Sequence, residues 1–324
     1  KGDNDARMKL MAAAQGAGSA TDSDGGFLIQ KQFVNDIQER MVSMSSIIPL
    51  CRELPIGANA NGTTINVVDE TSRATGSRWG GVQGYWVDEG TAPTATKPKF
   101  ARMELKLKKL AALGYATDEL LEDATALGGV MNQAFAEELV WLTENSIFNG
   151  NGTGQPLGFV GHAATISQAA ETGQVAATVV YENIINMWAH LLPRSQRNAA
   201  WFVGPDVLPQ IDQLGLAVGT GVLPPRFVDY GPDGVLRIKG RPVIVHEYSQ
   251  ALGTAGDIVL ADLSSYLLAT KGGVRSDTSM HVAFTTDEMA FRAIYRVDGQ
   301  PAMRTYITLA NSYTVSAFVK LATR

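Results

Sequence analysis

The residues 150–154, Gly-Asn-Gly-Thr-Gly, invite a chemical reading first, because glycine-rich turns can present backbone N–H groups to phosphate. This turn has no Lys-Ser/Thr to follow the glycines, and it comes after a helical stretch rather than leading from a strand into a helix. It reads as a helix stop and tight turn, not as a nucleotide loop. The histidines, His162, His190, His246 and His281, stand singly, and none has a second imidazole at metal-ligand spacing. Cys51 has no local histidine to activate it, and no Gly-x-Ser-x-Gly elbow presents a serine. Glu137 and Glu138 are neighbours on a helical stretch, where adjacent carboxylates mark a solvated face rather than an acid–base pair. Asn61 and Asn151 begin Asn-x-Thr triplets, which matter only in a secretory setting. No catalytic residue, cofactor-binding residue or metal ligand is assigned, and no cofactor is expected.

The charges carry more. Between positions 97 and 109, Lys97, Lys99, Arg102, Lys106, Lys108 and Lys109 face Glu104 alone. Between 117 and 149, Asp118, Glu119, Glu122, Asp123, Glu137, Glu138 and Glu144 occur with no Lys or Arg. Two unrelated solvated faces would look the same. The sharper expectation is complementarity between copies: the basic segment of one lies over the acidic helical segment of the next. Such pairing sets register and encounter rate more than affinity, and salt weakens it. Trp86, Lys97, Lys99, Arg102, Lys106, Lys108 and Lys109, with Glu137, Glu138 and Glu144 opposite, are the candidate inter-subunit contacts. Residues 1–26 and 217–234 are expected to add to them.

These side chains need elements to hold them. Residues 1–26 are rich in small and polar types and cannot order themselves alone. Residues 61–69 read as a strand after the Asn61-Gly62 turn signal, and 101–110 alternate, with Met103, Leu105 and Leu107 on one face. Between them, 71–99 is rich in Gly, Thr and Pro and carries Trp79, Tyr85 and Trp86. Together 61–110 form a long two-stranded excursion, only marginally stable by itself, which predicts a partner surface on another subunit. Thr117 is a suitable N-cap, with Asp118 and Glu119 in a first turn that favours negative charge. After a break at Gly128-Gly129, Met131, Phe135, Leu139 and Leu142 give a helical stripe that stops at Asn149-Gly150. Beyond it the pattern is mixed: a helix over 178–192 ended by Pro193, a strand, turn and helix from Trp201, strands over 242–246 and 257–263, and two closing strands around an Asp298-Gly299 turn.

Composition bounds the class. The chain has 324 residues, 45% hydrophobic and 18% charged, which is globular and sufficient for a large core. Its net charge of −5 disfavours tight direct binding to nucleic acid but suits a wall that only encloses it. A single cysteine excludes an internal disulfide framework and fits a reducing compartment. No run of residues is apolar enough for a membrane span.

The order of several segments resembles the Hong Kong 97 family of phage major capsid proteins. The segments are GGFLIQKQF, a basic hairpin containing WVDEGTAP, LAALGYATDELLEDA, a long helix ending ENSIFNGNGTGQPLGF, then WFVGPDVLPQIDQL, IKGRPVIV, GDIVLADLSSYLL and FTTDEMAFRAIYRVDGQPA. The resemblance spans about 25–310. It implies an α+β capsid fold with an N-terminal arm (1–45), an extended β-hairpin loop (61–110), a peripheral domain with a long spine helix (46–60, 111–155 and 281–310), and an axial α/β domain (156–280 and 311–324). It implies a homo-oligomer of hexamers and pentamers in a virion capsid, with portal and cement proteins as partners. Double-stranded DNA would be enclosed without sequence-specific contacts, no membrane would be involved, and assembly would take place in the bacterial cytoplasm. Cleavage of an upstream scaffolding segment is implied too, in keeping with a chain opening on Lys1. The family's founding Lys–Asn crosslink does not carry over. Ala92 and Pro93 stand at the lysine position with Lys97 displaced, Met280 stands where asparagine is needed, and Asp287 stands near the glutamate. The alternatives are an encapsulin-type nanocompartment subunit and an α/β enzyme.

Overall fold

The structure, a computed structural model, describes residues 47–117, 127–218, 221–223, 227–232, 234–272, 274–283 and 288–324. The expected arm over 1–45 and the helix expected over 118–126 lie outside these residues. Thr117, expected as its N-cap, is the last residue of a strand.

After a 3-10 turn at Ile48–Leu50, the chain forms β1 (Arg52–Pro55), β2 (Gly62–Val68), β3 (Phe100–Lys106) and β4 (Lys108–Thr117), then helix α1 (Leu127–Asn149). It continues through β5 (Thr165–Gln168), α2 (Tyr181–Ala189), β6 (Ala200–Val203), α3 (Leu208–Asp212), β7 (Leu216–Val218), β8 (Gly221–Leu223), β9 (Val228–Tyr230), β10 (Leu236–Ile238), β11 (Arg241–Val245), β12 (Ile258–Ala261), β13 (Tyr266–Thr270), β14 (Arg275–Ala283), β15 (Glu288–Pro301), β16 (Ile307–Thr308), β17 (Thr314–Val315) and β18 (Phe318–Leu321). The chain folds as two units. The described part of the smaller is 112–117, 127–137, 276–283 and 288–293; the larger holds the rest.

The larger unit is built on a seven-stranded sheet in the order β5-β18-β12-β6-β11-β10-β9. Its central strands, β6 and β12, are buried at every position, so they read as unbroken apolar runs instead of alternating ones. Period-two geometry sends their side chains to opposite faces. Trp201, Val203, Ile258 and Leu260 pack with Ile184 and Met187 of α2 and Ile211 of α3. Phe202, Val259 and Phe318 pack with Ile147 and Phe148 of α1 and with Phe159. The Trp201 indole N–H donates to Ile238 O at 3.1 Å, so the largest buried side chain is also satisfied. Next to the start of β12, Arg324 holds Asp257 in a buried bidentate pair at 3.0 and 2.6 Å. Every strand of this sheet falls within 156–280 and 311–324.

In a second sheet of the larger unit, β13 pairs with β1 in parallel and with 297–301 of β15 antiparallel. Tyr266–Thr270, expected with the axial residues, thus belongs to the sheet of β1 and β15. The expected turn at Asp298-Gly299 is corrected as well: β15 runs unbroken from Glu288 to Pro301 through both residues. The turn propensity is overridden by the pairing of Asp298 with Ala269 and Gly299 with Leu268. In the smaller unit, Gly114 leaves room for Phe135 and Met131, which would lie 2.8 and 2.9 Å from an added Cβ. Helix α1 contains Gly128 and Gly129 instead of starting after them, and it stops at Asn149 as expected.

Candidate assembly surface

The 61–110 excursion is built from its base outward. Strands β2 and β3 pair antiparallel in a register running from Gly62 opposite Lys106 to Val68 opposite Phe100. On β3 the alternation expected from the sequence is present: Ala101, Met103 and Leu105 are buried, while Phe100, Arg102, Glu104 and Lys106 are exposed. Leu105 and Leu107 pack against Leu267 and Ala269 of β13. Gly62 is required by the close approach of β3, since an added Cβ would lie 2.5 Å from Leu105 O.

Asp298 fixes this base. Its Oδ2 accepts from the Lys106 N–H at 2.8 Å, and its Oδ1 lies 3.2 Å from Lys108 Nζ. The same ammonium donates to the carbonyls of Gly152, at 2.7 Å, and Gln155. The 150–154 turn and the residue after it therefore each offer a carbonyl oxygen to a lysine. Gln300 adds a bond from its amide to Glu104 O at 3.2 Å.

Further out, the excursion still rests on its own chain. Arg73 N donates to Thr308 O at 2.7 Å, and Thr308 N donates to Thr71 O at 3.0 Å. The Asp69 N–H donates to Lys99 O at 3.0 Å, and Gly80, at φ +72°, passes so close that an added Cβ would meet Lys99 O at 2.7 Å. Beyond this throat the tip projects. Residues 84–95 are all exposed, Trp86 completely so at 105%. Of the 61–110 excursion, expected to be only marginally stable by itself, the base and flank are anchored on the rest of the chain, and the tip is what remains uncovered.

The expected contact residues divide accordingly. Lys97, Lys99, Arg102, Lys106 and Lys109 are exposed, as is Glu138. Glu137 is partly covered and accepts from Gln133 Nε2 at 3.1 Å. Lys108 is engaged as described, so its charge is not free for a neighbour. Glu144 is corrected outright. It is 1% exposed, with Oε1 accepting from Ile47 N at 3.0 Å and Oε2 from the Tyr248 hydroxyl at 2.9 Å. A carboxylate enclosed this way ties α1 to Ile47 and cannot meet another subunit. Sequence reasoning missed Asp298 because its partners lie some 190 positions away.

No reacting constellation is assembled among the described residues. Burial pushes the Cys51 thiol up to about 12, with the charges of Glu144 and Glu53 adding to the shift, so no thiolate is available. His246 is pulled down to about 4 by burial. Its Nδ1 accepts from Tyr248 N at 3.1 Å, which leaves no carboxylate to orient it toward Ser249 Oγ at 3.4 Å. His162 Nδ1 accepts from Ala164 N at 3.1 Å, and His190 stacks on Tyr313 at 4.6 Å between ring centres. No group of three His, Cys, Asp or Glu among the described residues is arranged to hold a metal. No helix among them is long and apolar enough to cross a membrane.

The model of the Phage capsid family matches residues 25–311, and the chain belongs to that family. It is a structural protein of the bacteriophage capsid, not an enzyme, and its place is the virion shell. Among solved structures, the capsid of an empty GTA particle is similar over 94% of this chain and 98% of that one, at TM-score 0.65 and 18% identity. The capsid of a native GTA particle matches over 95% and 99%, at TM-score 0.64 and 17% identity. A structure from Microbacterium phage Oxtober96 matches over 93% and 98%, at TM-score 0.61 and 17% identity. No curated protein matches the chain.

Proposed function

We propose that the chain is the major capsid protein of a tailed phage, assembling as hexamers and pentamers into an icosahedral shell around double-stranded DNA. In this reading the fold is the Hong Kong 97 type. The seven-stranded sheet with α2 and α3 is the axial domain, α1 is the spine helix of the peripheral domain, and 61–110 is the extended loop. The observation that carries it is the loop itself: an anchored base, a throat closed at Gly80, and a tip ending in the fully exposed Trp86. Leaving a tryptophan in water forfeits a burial worth about 2–3 kcal/mol, so a surface elsewhere is expected to cover it.

Contacts between copies are individually modest and are summed by symmetry. The exposed Lys97, Lys99, Arg102, Lys106 and Lys109 supply a positive face for the acidic helical segment of a neighbour, represented among the described residues by Glu137 and Glu138. DNA is enclosed by a net-negative wall without sequence-specific contacts. Portal and cement proteins complete the particle, which is built in the host cytoplasm. Electron microscopy of the purified protein tests this directly: closed icosahedral particles are expected, and a protein that stays monomeric under all assembly conditions would overturn it.

A further inference from the structure

A cleft of about 830 Å³ opens beside the flank of the loop. Its walls include Trp79, Leu192 and Met303, and four arginines stand on it: Arg73, Arg78, Arg194 and Arg304. Two of these are already matched within the cleft, Arg73 by Glu70 at 2.6 Å and Arg304 by Asp69 at 3.8 Å. Arg78 and Arg194 are exposed and make no ion pair among the described residues. The cleft thus presents apolar walls and two uncompensated positive charges.

The loop tip is its complement. Trp86 and Val87 are exposed, and the next two residues, Asp88 and Glu89, are exposed acids without an ion pair among the described residues. Because Trp86 is fully exposed, the tip does not fill the cleft of its own copy. We infer that the tip of one copy, led by Trp86 with Asp88 and Glu89, seats in the Arg78/Arg194 cleft of the next copy. This rests on the shell reading above and names the two surfaces that meet. Each copy carries one tip and one cleft, so the contact is head-to-tail, the kind that closes into rings when the rotation permits. The volume is in the range that encloses small ligands and suits a few side chains. Arginine against tryptophan adds a cation–π attraction.

Charge exchange tests it. A cleft reversal (Arg78→Glu with Arg194→Glu) and a tip reversal (Asp88→Lys with Glu89→Lys) each place like charges together at the contact. Each is expected to lower particle yield by about tenfold or more, and the fourfold variant, with both signs exchanged, is expected to recover most of the loss. Melting curves of the dissociated chains should stay at the wild-type value, since all four side chains are exposed. As a second readout, Val87→Cys and Pro193→Cys in a Cys51→Ser background should give disulfide-linked ladders ending at rings. Wild-type protein that forms no particles would defeat the shell reading and this inference with it. Particles formed equally well by the reversals, or a fourfold variant no better than its parents, would overturn the pairing and leave the shell reading intact. Loss confined to the cleft reversal would assign the cleft another occupant, such as a nucleic-acid phosphate, and would also overturn the pairing.

Discussion

The ammonium of Lys108 lies 3.2 Å from the carboxylate of Asp298, and both side chains are largely covered. Because Asp298 also takes the Lys106 N–H, one carboxylate holds the end of β3 and the start of β4 against β15. The loop's tip can project because its base is pinned. The basic residues on 97–109 are therefore not equivalent: one of them holds the fold, and the others face water.

Charge reversal should separate them. Lys108→Glu sets two carboxylates against each other in a partly buried place and is expected to cost about 2–4 kcal/mol of stability. Asp298→Ala, which leaves the Lys106 N–H without its acceptor, should cost about 1–3 kcal/mol. Lys97→Glu and Lys99→Glu should stay within about 0.5 kcal/mol of wild type. Urea denaturation of the dissociated chain measures all four, and a Lys108→Glu variant as stable as Lys97→Glu would show that the base is held by packing alone.

Glu144 offers a second case, argued from what its loss would strand. The Ile47 N–H and the Tyr248 hydroxyl both point at it in a buried place. Glu144→Ala leaves both without a partner and should cost about 2–4 kcal/mol. Tyr248→Phe removes one donor and leaves the carboxylate its backbone partner, so about 1 kcal/mol is expected. Equal costs for the two would show that the carboxylate, not the orphaned donors, dominates.

These residues show what a sequence displays and what it hides. The alternation of 101–107, the helix stop at Asn149 and the apolar runs of β6 and β12 were legible, because each is a local pattern with one geometric solution. The order of segments disclosed the family. Glu144 was not legible as a buried group: on a helix with neighbouring acids it looks solvated, and its partner Ile47 is 97 positions away. Asp298-Gly299 misled for the opposite reason. A strong local turn signal stands where tertiary packing, not conformation, selects the glycine.

Gly299 tests that statement. It has no positive φ, so its need is steric: an added Cβ would lie 2.7 Å from the Tyr266 ring. That ring is fully buried, and its hydroxyl donates to Leu157 O at 2.9 Å, so it cannot swing aside. Gly299→Ala should cost about 1–3 kcal/mol by overpacking. Adding Tyr266→Leu should make the alanine far less costly than it is alone, a coupling that a double-mutant cycle reads directly. Additive losses would mean that the glycine is needed for its backbone instead.

His246 gives the protein an acid limit. It is buried against Phe148 at 4.5 Å and Tyr248 at 5.3 Å between ring centres, and burial lowers it from 6.5 to about 4. A depressed histidine takes up its proton more readily in the unfolded chain than in the folded one. Unfolding is therefore favoured as pH falls below 6.5, and the loss is complete once pH has passed about 4. Two to three pH units at about 1.4 kcal/mol each make this a loss of about 3 kcal/mol. Burial lowers His162 as well, so it adds in the same direction. Replacing His246 by Gln should lower stability at neutral pH, because the ring contacts are lost, yet flatten the dependence between about pH 6.5 and 4. Denaturation midpoints of the dissociated chain across that range provide the measurement. A variant with the slope of the wild type would show that His246 is not the source of the acid sensitivity.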